Sequence, residues 1–505
     1  MEMPKDLRKA DPLPNSGPDV AHVGSEHADV KAVNAAEGRS LYADRQWVYP
    51  KLTHGFYRNL KWALMAVTLG LYYVVPWIRW NRGPDLPGQA VILDMQHERF
   101  FMFGLEIWPQ EFYYVTGLLI LASLTLFLVT ALAGRVWCGY FCPQTVWTDL
   151  MVTIERFWQG DRNARIRLDK EPWGLAKIFK KVMTHLSWIA LAIATGGAFV
   201  FYFADAPTLL RQLLNGTAPT TAYMFIAIFA GTTYVLGGIA REQVCIYMCP
   251  WPRIQGAMID KDSFLVSYRD HRGEPRGPIR KSEAPGVKGD CIDCNACIAV
   301  CPMGIDIRDG AQLECIQCAL CIDACDDIMH KVGRKEKLIG YTTLADLEAE
   351  GTGSSDKPKL VRSRTMLYSG LIAVVGLIML GTLSMRNVLE LNVLPERNPF
   401  FVRLSDGSIR NTYTIKILNK LHEPRTFAVK LRNLPNARVA IAEGGAEAEA
   451  KITAPTDGIG ETRVFVIVPE DKLGVLSADA HGFDLIVMDV KSGQESHRAT
   501  TFRRR

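Results

Sequence analysis

Long apolar stretches alternate with polar segments along the first three quarters of the chain. Each stretch holds roughly the 20 helical residues that cross a hydrocarbon core about 30 Å thick. Arginine, lysine or tryptophan stands at the ends of these stretches, which is typical of membrane–water interfaces and not of buried core helices. The pattern predicts five transmembrane helices, over residues 62–78, 112–134, 182–204, 218–240 and 365–385.

From Phe400 onwards apolar and polar residues alternate with period two, as at Tyr413, Ile415 and Ile417. About seven such short runs, separated by turn residues, predict an antiparallel β-sandwich of immunoglobulin-like type. This region has no cysteine, and its histidines have no ligand spacing. We therefore expect it to serve in docking or assembly.

The predicted fold class is a multi-domain membrane protein, in which a five-helix α bundle carries a polar insertion and a C-terminal β-sandwich. No apolar run resembling a signal peptide precedes the first span. The expected boundaries are a disordered tail at 1–50, helices one to four at 51–240, the insertion at 241–335, a linker at 336–364, the fifth helix at 365–385 and the sandwich at 386–505.

The lysines and arginines of the short loops predict the orientation in the membrane. The loop 135–181 carries nine of them, whereas the loop 81–111 carries two and the loop 205–216 carries one. This bias places the N-terminus and the insertion in the cytoplasm and the sandwich on the other side of the membrane.

Composition adds the cysteines and excludes several classes of protein. The chain has 505 residues, a net charge of +5 and 48% apolar residues, which rules out a collagen-like or wholly disordered protein. The small, dispersed basic excess gives no reason to expect nucleic acid as a partner. All twelve cysteines lie between Cys138 and Cys325. On the reducing side of the membrane they are expected to be thiolate ligands and not disulfides.

Eight cysteines form two copies of the C-x2-C-x2-C-x3-C run of bacterial ferredoxins. In this arrangement three thiolates of one run and the last thiolate of the other hold each [4Fe–4S] cluster. We therefore assign one cluster to Cys291, Cys294, Cys297 and Cys325, and the second to Cys315, Cys318, Cys321 and Cys301.

Structural zinc is the alternative for these two runs, because zinc sites also use C-x2-C pairs. Zinc needs four ligands per ion and gains nothing from the third cysteine of each run, so we favour clusters. The second run ends in Asp326 where a typical run has proline, which removes no ligand.

The other four cysteines form a second repeat, C-x-Y-x-C-P, just after the second and the fourth predicted span. Cysteines at i and i+4 share one face of a helical turn, so two such pairs can bring four sulfurs together at the membrane surface. Arg135 and Arg241 lie close by in the sequence and are expected to favour thiolates. The pairs are Cys138 with Cys142 and Cys245 with Cys249, 107 residues apart.

We favour a redox-active dithiol or a soft-metal site such as Cu(I) for these four cysteines, since thiolates select soft ions. A further cofactor or a bound quinone, and inert structural thiols, remain alternatives. His185 is expected to be a packing residue. Met95, His97 and Met102 match no metal motif that we can defend.

These motifs, with the stretch Arg99–Gly104 before them and the sandwich after them, resemble the FixG family, also called CcoG or RdxA. Its members are accessory proteins of cytochrome c oxidase. The resemblance covers about residues 40–505. The C-x3-C-P pairs are also similar to those of NapH-like membrane ferredoxins.

The resemblance implies a bacterial inner-membrane protein with its sandwich in the periplasm, and a role in the biogenesis of cbb3-type cytochrome c oxidase. It implies reduction of Cu(II) to Cu(I) at the cytoplasmic face, alongside a copper-exporting P-type ATPase and other assembly proteins. A quinol-linked electron-transfer subunit and an assembly scaffold with structural clusters are the alternatives. The electron donor does not follow from the sequence.

Overall fold

The computed structural model divides the chain into two compact units, Met1–Leu377 and Ile378–Arg505. The residues that it describes are 45–83, 86–278, 288–354, 359–386, 389–420, 423–434, 436–441, 450–456, 458–476 and 479–504.

The first unit is mainly helical. Its helices, the last of which continues past the unit boundary, are α1 (Phe56–Val74), α2 (Tyr113–Ala133), α3 (Val136–Tyr140), α4 (Pro143–Gln159), α5 (Arg162–Lys170), α6 (Leu175–Val200), α7 (Ala206–Leu214), α8 (Thr220–Thr233), α9 (Trp251–Met258), α10 (Asp270–Gly273), α11 (Ala296–Val300), α12 (Leu320–Lys331), α13 (Leu344–Gly351) and α14 (Ser363–Ser384).

Five helical segments of the described chain are long and apolar enough to cross a bilayer. They are Phe56–Trp77, Pro109–Ala133, Leu175–Val200, Thr220–Ala240 and Ser363–Ser384. Large apolar side chains such as Leu377 and Leu380 of α14 are more than 60% exposed. A surface of this kind is stable only against hydrocarbon or another apolar partner.

Two of these helices begin earlier than the apolar pattern predicts. The first begins at Phe56 instead of residue 62, and the third at Leu175 instead of residue 182. The added turns contain charged residues, among them Arg58, Lys61 and Lys177, whose side chains are buried in the protein. Hydropathy excludes such turns because it counts a buried charge as a polar residue.

A small antiparallel sheet lies between α1 and α2, where the sequence predicts no domain. It consists of β1 (Val91–Asp94), β2 (Arg99–Met102) and β3 (Leu105–Ile107) in that order. Phe101 anchors it, with 1% of its surface exposed.

A two-stranded antiparallel sheet joins the two ends of the cysteine-rich segment. Its strands are β4 (Leu265–Tyr268), which precedes the cysteine runs, and β5 (Ile339–Thr342), which follows them. The expected linker at 336–364 is therefore wrong in its first half, which forms β5 and α13. Its charged composition concealed a strand whose partner lies about 70 residues away.

The tail also differs from the prediction at its boundary. Residues 1–44 lie outside the described residues, but residues 45–50 are tied to the helices. Arg45 Nη1 donates to Ile239 O at 2.6 Å, and Tyr49 Oη donates to Asp169 Oδ2 at 2.6 Å.

The second unit is a sandwich of two antiparallel sheets, as predicted, with nine strands in the described residues instead of about seven. One sheet has the order β10-β12-β8-β6 with β7 beside β8, and the other has the order β11-β9-β13-β14. The strands are β6 (Leu389–Pro395), β7 (Val402–Arg403), β8 (Ile409–Asn419), β9 (Arg425–Arg432), β10 (Arg438–Ile441), β11 (Ala450–Ala454), β12 (Gly458–Val468), β13 (Ala480–Asp489) and β14 (Glu495–Arg503).

Alternate residues of β8 and β12 form the centre of the sandwich core. Tyr413, Ile415 and Ile417 of β8 and Val464 and Val466 of β12 are at most 1% exposed. The Tyr413 hydroxyl donates to Thr501 O at 2.8 Å and so links the two sheets.

Ile415→Ala is expected to destabilise the sandwich by about 2–5 kcal/mol, because it leaves a cavity in a closely packed core. Ile459, which is 50% exposed, supplies the control: Ile459→Ala should change stability by no more than about 0.5 kcal/mol. Hydrogen exchange of the β12 amides in the detergent-solubilised full chain measures both. Equal exchange rates in the two variants would contradict this description of the core.

Candidate functional site: three groups of cysteines

The two ferredoxin-type runs fold into loops with the same backbone conformation. The residues on either side of the second cysteine are left-handed in both loops: Asp293 (φ 55°) and Asn295 (φ 57°) in the first, Gln317 (φ 55°) and Ala319 (φ 61°) in the second. Non-glycine residues rarely adopt this conformation, because it costs about 1–3 kcal/mol for each residue. Such alternation turns backbone N–H groups inward, as in the concave anion sites that surround iron–sulfur clusters.

The last cysteine of each run crosses to the other loop. Cys301 directly follows α11, and Cys325 lies within α12. The cysteines that act electrostatically on Cys325 are Cys297, Cys294 and Cys291, and those that act on Cys301 are Cys318 and Cys315. Cys318, Cys315, Cys301 and Cys297 act on Cys321. The division of the eight thiols between two clusters stays a prediction from the sequence.

The first set is defined here as Cys291, Cys294, Cys297 and Cys325, and the second set as Cys301, Cys315, Cys318 and Cys321. All members of the second set line one cavity.

The chemistry of these thiols suits metal clusters. Burial raises the pKa of Cys297 and of Cys301 to about 12, and the pKa of Cys315 to about 11. Without bound metal such thiols are protonated at neutral pH. Iron ions supply the positive charge that deprotonates closely packed thiols, so the residues present fit [4Fe–4S] clusters.

No three His, Cys, Asp or Glu side chains of the described chain are placed to bind one metal ion. Structural zinc requires four ligands around one ion, so the preference for clusters over zinc rests on the spacing of the two cysteine runs.

The two C-x-Y-x-C-P motifs also share one backbone course. Four residues before the first cysteine of each pair, Gly134 has φ 58° and ψ −122°, and Arg241 has φ 47° and ψ −117°. Each second cysteine ends its turn in an extended conformation, at ψ 124° for Cys142 and ψ 121° for Cys249. A proline and a helix follow in both copies. The two motifs are therefore a structural repeat.

The four motif cysteines converge, and they are called the quartet below. Cys142 and Cys249 act electrostatically on Cys138, and Cys142, Cys138 and Cys249 act on Cys245. The quartet lies just beyond the cytoplasmic ends predicted for the second and fourth spans. Cys245 lies within a turn of π-helix, Val244–Met248, a form common at functional sites.

The expectation that cations make the quartet anionic is met only in part. Arg135 lowers the pKa of Cys138 and of Cys245, but burial outweighs it, so both values are raised, that of Cys245 to about 12. Arg241 is engaged elsewhere: its Nη2 pairs with Glu155 Oε2 at 2.8 Å. Burial therefore favours the neutral form of the Cys138 and Cys245 thiols.

The quartet packs directly against the loop of the second set. A Cβ added to Gly139 would lie 2.7 Å from Ile316 O and 3.0 Å from Cys318 Cα, so only glycine fits this contact. The Tyr140 hydroxyl donates to Cys318 O at 3.2 Å. Cys138 and Cys245 belong to the same apolar cluster as the second set.

Two glutamines that the sequence analysis missed connect these parts. The Arg135 backbone N–H donates to Gln317 Oε1 at 2.8 Å. Gln255 Oε1 accepts from the Cys138 thiol at 3.3 Å and from Arg135 Nε at 3.2 Å. The only sequence signal for these glutamines is their position: Gln317 lies in the second ferredoxin-type run, and Gln255 lies just after the second C-x-Y-x-C-P motif.

The minor candidates do not join the cysteines. His185 Nδ1 lies 2.9 Å from the Tyr234 hydroxyl, as a packing residue would. His97 pairs with Asp94 at 2.7 Å beside the small sheet. Met95, in the same region, is 71% exposed.

Comparison with known families agrees with this geometry. A family model described as a 4Fe-4S dicluster domain matches residues 240–344, and one described as a 4Fe-4S binding domain matches residues 115–159. The Ig-like fold at the C-terminus of FixG matches residues 379–505. The stretch 115–159 contains only two cysteines, Cys138 and Cys142.

Three curated proteins are similar over most of the chain. The nitrogen fixation protein FixG of Rhizobium meliloti is 50% identical, covering 92% of this chain and 94% of its own. Protein RdxB of Cereibacter sphaeroides is 51% identical over 92% and 97%, and protein RdxA of the same organism is 50% identical over 85% and 91%. These findings confirm the resemblance that the motifs indicate.

A crystal structure of a FixG-related protein from Vibrio parahaemolyticus matches 24% of this chain and 99% of its own. Its identity is 17% and its TM-score is 0.20, values too low to support any inference.

Gly139→Ala is expected to force the quartet away from the second set and to cost about 1–3 kcal/mol, as overpacking does. The control is Gly231→Ala in α8, where an added Cβ meets nothing within 4 Å and should be neutral or slightly stabilising. Thermal unfolding of the loaded protein in detergent measures the difference. Equal stability of the two variants would contradict the close contact at Gly139.

Iron content tests the cysteine grouping. Wild type is expected to hold about eight irons, four per cluster, and Cys301→Ala or Cys325→Ala about four. The variant with all four quartet cysteines changed to alanine should keep about eight. About twelve irons in wild type and eight in the quartet variant would instead assign a third cluster to the quartet.

Proposed function

The chain belongs to the FixG family, and from this premise and the geometry of its cysteines we propose that it is a membrane-bound iron–sulfur protein that reduces Cu(II) to Cu(I) at the cytoplasmic face. The Cu(I) would be delivered during the assembly of a cbb3-type cytochrome c oxidase. A copper-exporting P-type ATPase is the proposed recipient.

The observation that carries the proposal is the contact between the quartet and the loop of the second set. Gly139 lies in the turn between Cys138 and Cys142 and packs on the backbone of Ile316 and Cys318. An electron that leaves the second set therefore has only this packed boundary to cross before it reaches a quartet sulfur.

The quartet supplies the chemistry that a copper substrate requires. Thiolates bind Cu(I) in preference to harder ions, so a quartet thiolate favours the reduced product. The balance is simple: one Cu(II) gains one electron and becomes Cu(I), and each bound cluster supplies one electron.

The five apolar helices fit the predicted membrane spans. The proposed orientation keeps all three groups of cysteines on the reducing, cytoplasmic side, where a donor can reach them.

The decisive experiment is an anaerobic single turnover. The protein is reduced, freed of excess reductant and mixed with Cu(II), and cluster absorbance is followed together with a Cu(I)-specific chelator. Wild type should re-oxidise and form about two Cu(I) per protein, one for each cluster. The variant with Cys138, Cys142, Cys245 and Cys249 changed to alanine should keep its clusters and react at least tenfold more slowly.

A variant with Met95→Leu and Met102→Leu is the matched control, because it removes two exposed thioethers from the region of the small sheet. It should react like wild type. Equal rates in wild type and the quartet variant would reject the quartet as the copper site. If neither reacts with Cu(II) but both are oxidised by a quinone, the quinol-linked alternative replaces the proposal.

A further inference from the structure

Two buried cations in α1 share a single carboxylate. Lys61 and Arg58 are 2% and 3% exposed. Lys61 Nζ lies 3.4 Å from Asp149 Oδ2, and Arg58 Nη1 lies 2.9 Å from the same oxygen. The two cations, called the cation pair below, thus share Asp149 as their salt-bridge partner, while a second buried carboxylate, Asp323, accepts from the Arg58 backbone N–H at 2.7 Å.

The cation pair lies beside the second set. It lines a cavity that also reaches Cys245. Four residues line both this cavity and the one that contains the second set, and so form a common wall: Pro302, Met303, Ile316 and Leu320.

Electrostatics shows the same proximity. Lys61 and Arg58 lower the pKa of Cys318 and Asp149 raises it, all against the larger effect of burial. Arg135 and Glu314 act on Cys315 with opposite signs. The charged groups that act on these two thiols are therefore three cations and two acids.

The surroundings of the first set have the opposite charge. Arg308 is the cation there, but it is held by two carboxylates, Asp306 Oδ2 at 2.7 Å and Asp293 Oδ1 at 2.7 Å. Asp326 is a third acid and raises the pKa of Cys325 further. Of the charged side chains that act on the thiols of the first set, one is a cation, Arg308, and two are acids, Asp306 and Asp326.

We propose that the cation pair raises the reduction potential of the cluster held by the second set above that of the cluster held by the first set. A reduced cluster carries one more negative charge than its oxidised form, so a nearby buried cation stabilises the reduced form. Electrons then run from the first set to the second and on to the quartet, and an external donor enters at the first set.

This inference rests on the iron–sulfur part of the proposed function and is independent of copper. An ion pair that only joins α1 to α4 would also be buried, but its loss would not change one potential selectively. A redox titration followed by electron paramagnetic resonance therefore separates the two explanations.

Wild type should show two midpoint potentials. Lys61→Met should lower the higher one by about 59 mV, which is a tenfold change for one electron, and leave the lower one in place. Lys61→Arg should restore it. Lys177→Met, which removes another buried lysine whose Nζ contacts backbone oxygens of Asp169 and Glu171, should change neither potential.

Asp149→Asn is expected to shift the higher midpoint potential in the opposite direction. It removes the acid and keeps both cations, so the higher midpoint should rise. This variant decides the matter if Lys61→Met fails to load its clusters. Three results would overturn the proposal, whether or not the protein reduces copper. They are equal midpoint potentials in wild type, a shift of the lower midpoint potential, and shifts of the same sign in Lys61→Met and Asp149→Asn.

Discussion

The contact between the Gly139 turn and the backbone of Ile316 and Cys318 is the constraint on which the rest of the site depends. It fixes the quartet against the second set and leaves no room for a side chain between them. Electron transfer requires such closeness, because each added layer of side chains lengthens the path. The helices after α2 and α8, the two glutamines and the apolar cluster around Cys138 all hold this boundary in place.

The repeat of the C-x-Y-x-C-P motif explains how the quartet arises. One backbone course, used twice, brings a cysteine pair to the same side of the bundle from α2 and from α8. In the first copy Gly134 adopts the left-handed conformation without strain, whereas in the second copy Arg241 adopts it at a cost of about 1–3 kcal/mol. The ion pair of Arg241 with Glu155 and its place over the Trp47 and Trp188 rings offset that strain.

The spacing of the cysteines along the chain made part of this structure predictable. The ferredoxin runs can fold around clusters in few ways, so Cys301 and Cys325 could be assigned across the loops before the fold was known. The alternation of apolar and polar residues was sufficient to predict the sandwich, and hydropathy was sufficient to predict the five apolar helices. The family resemblance rests on the same motifs.

The remainder depends on contacts between distant residues, which no local pattern carries. Asp149 meets Lys61 from 88 positions away, and hydropathy treated Lys61 as a reason to begin the helix later. Strand β5 was hidden because its partner β4 precedes both cysteine runs. The raised pKa of Cys138 and of Cys245 was unexpected because burial, which the sequence does not show, outweighs the charge of Arg135.

The most direct test of the relay uses proteins that hold one cluster each. Cys294→Ala leaves the second set intact, and Cys318→Ala leaves the first set intact. After reduction, the protein with only the second set should re-oxidise with Cu(II) nearly as fast as wild type and form about one Cu(I), since each cluster holds one electron. The protein with only the first set should remain reduced. Equal rates, or faster oxidation of the first set, would contradict a path in which the second set hands electrons to the quartet.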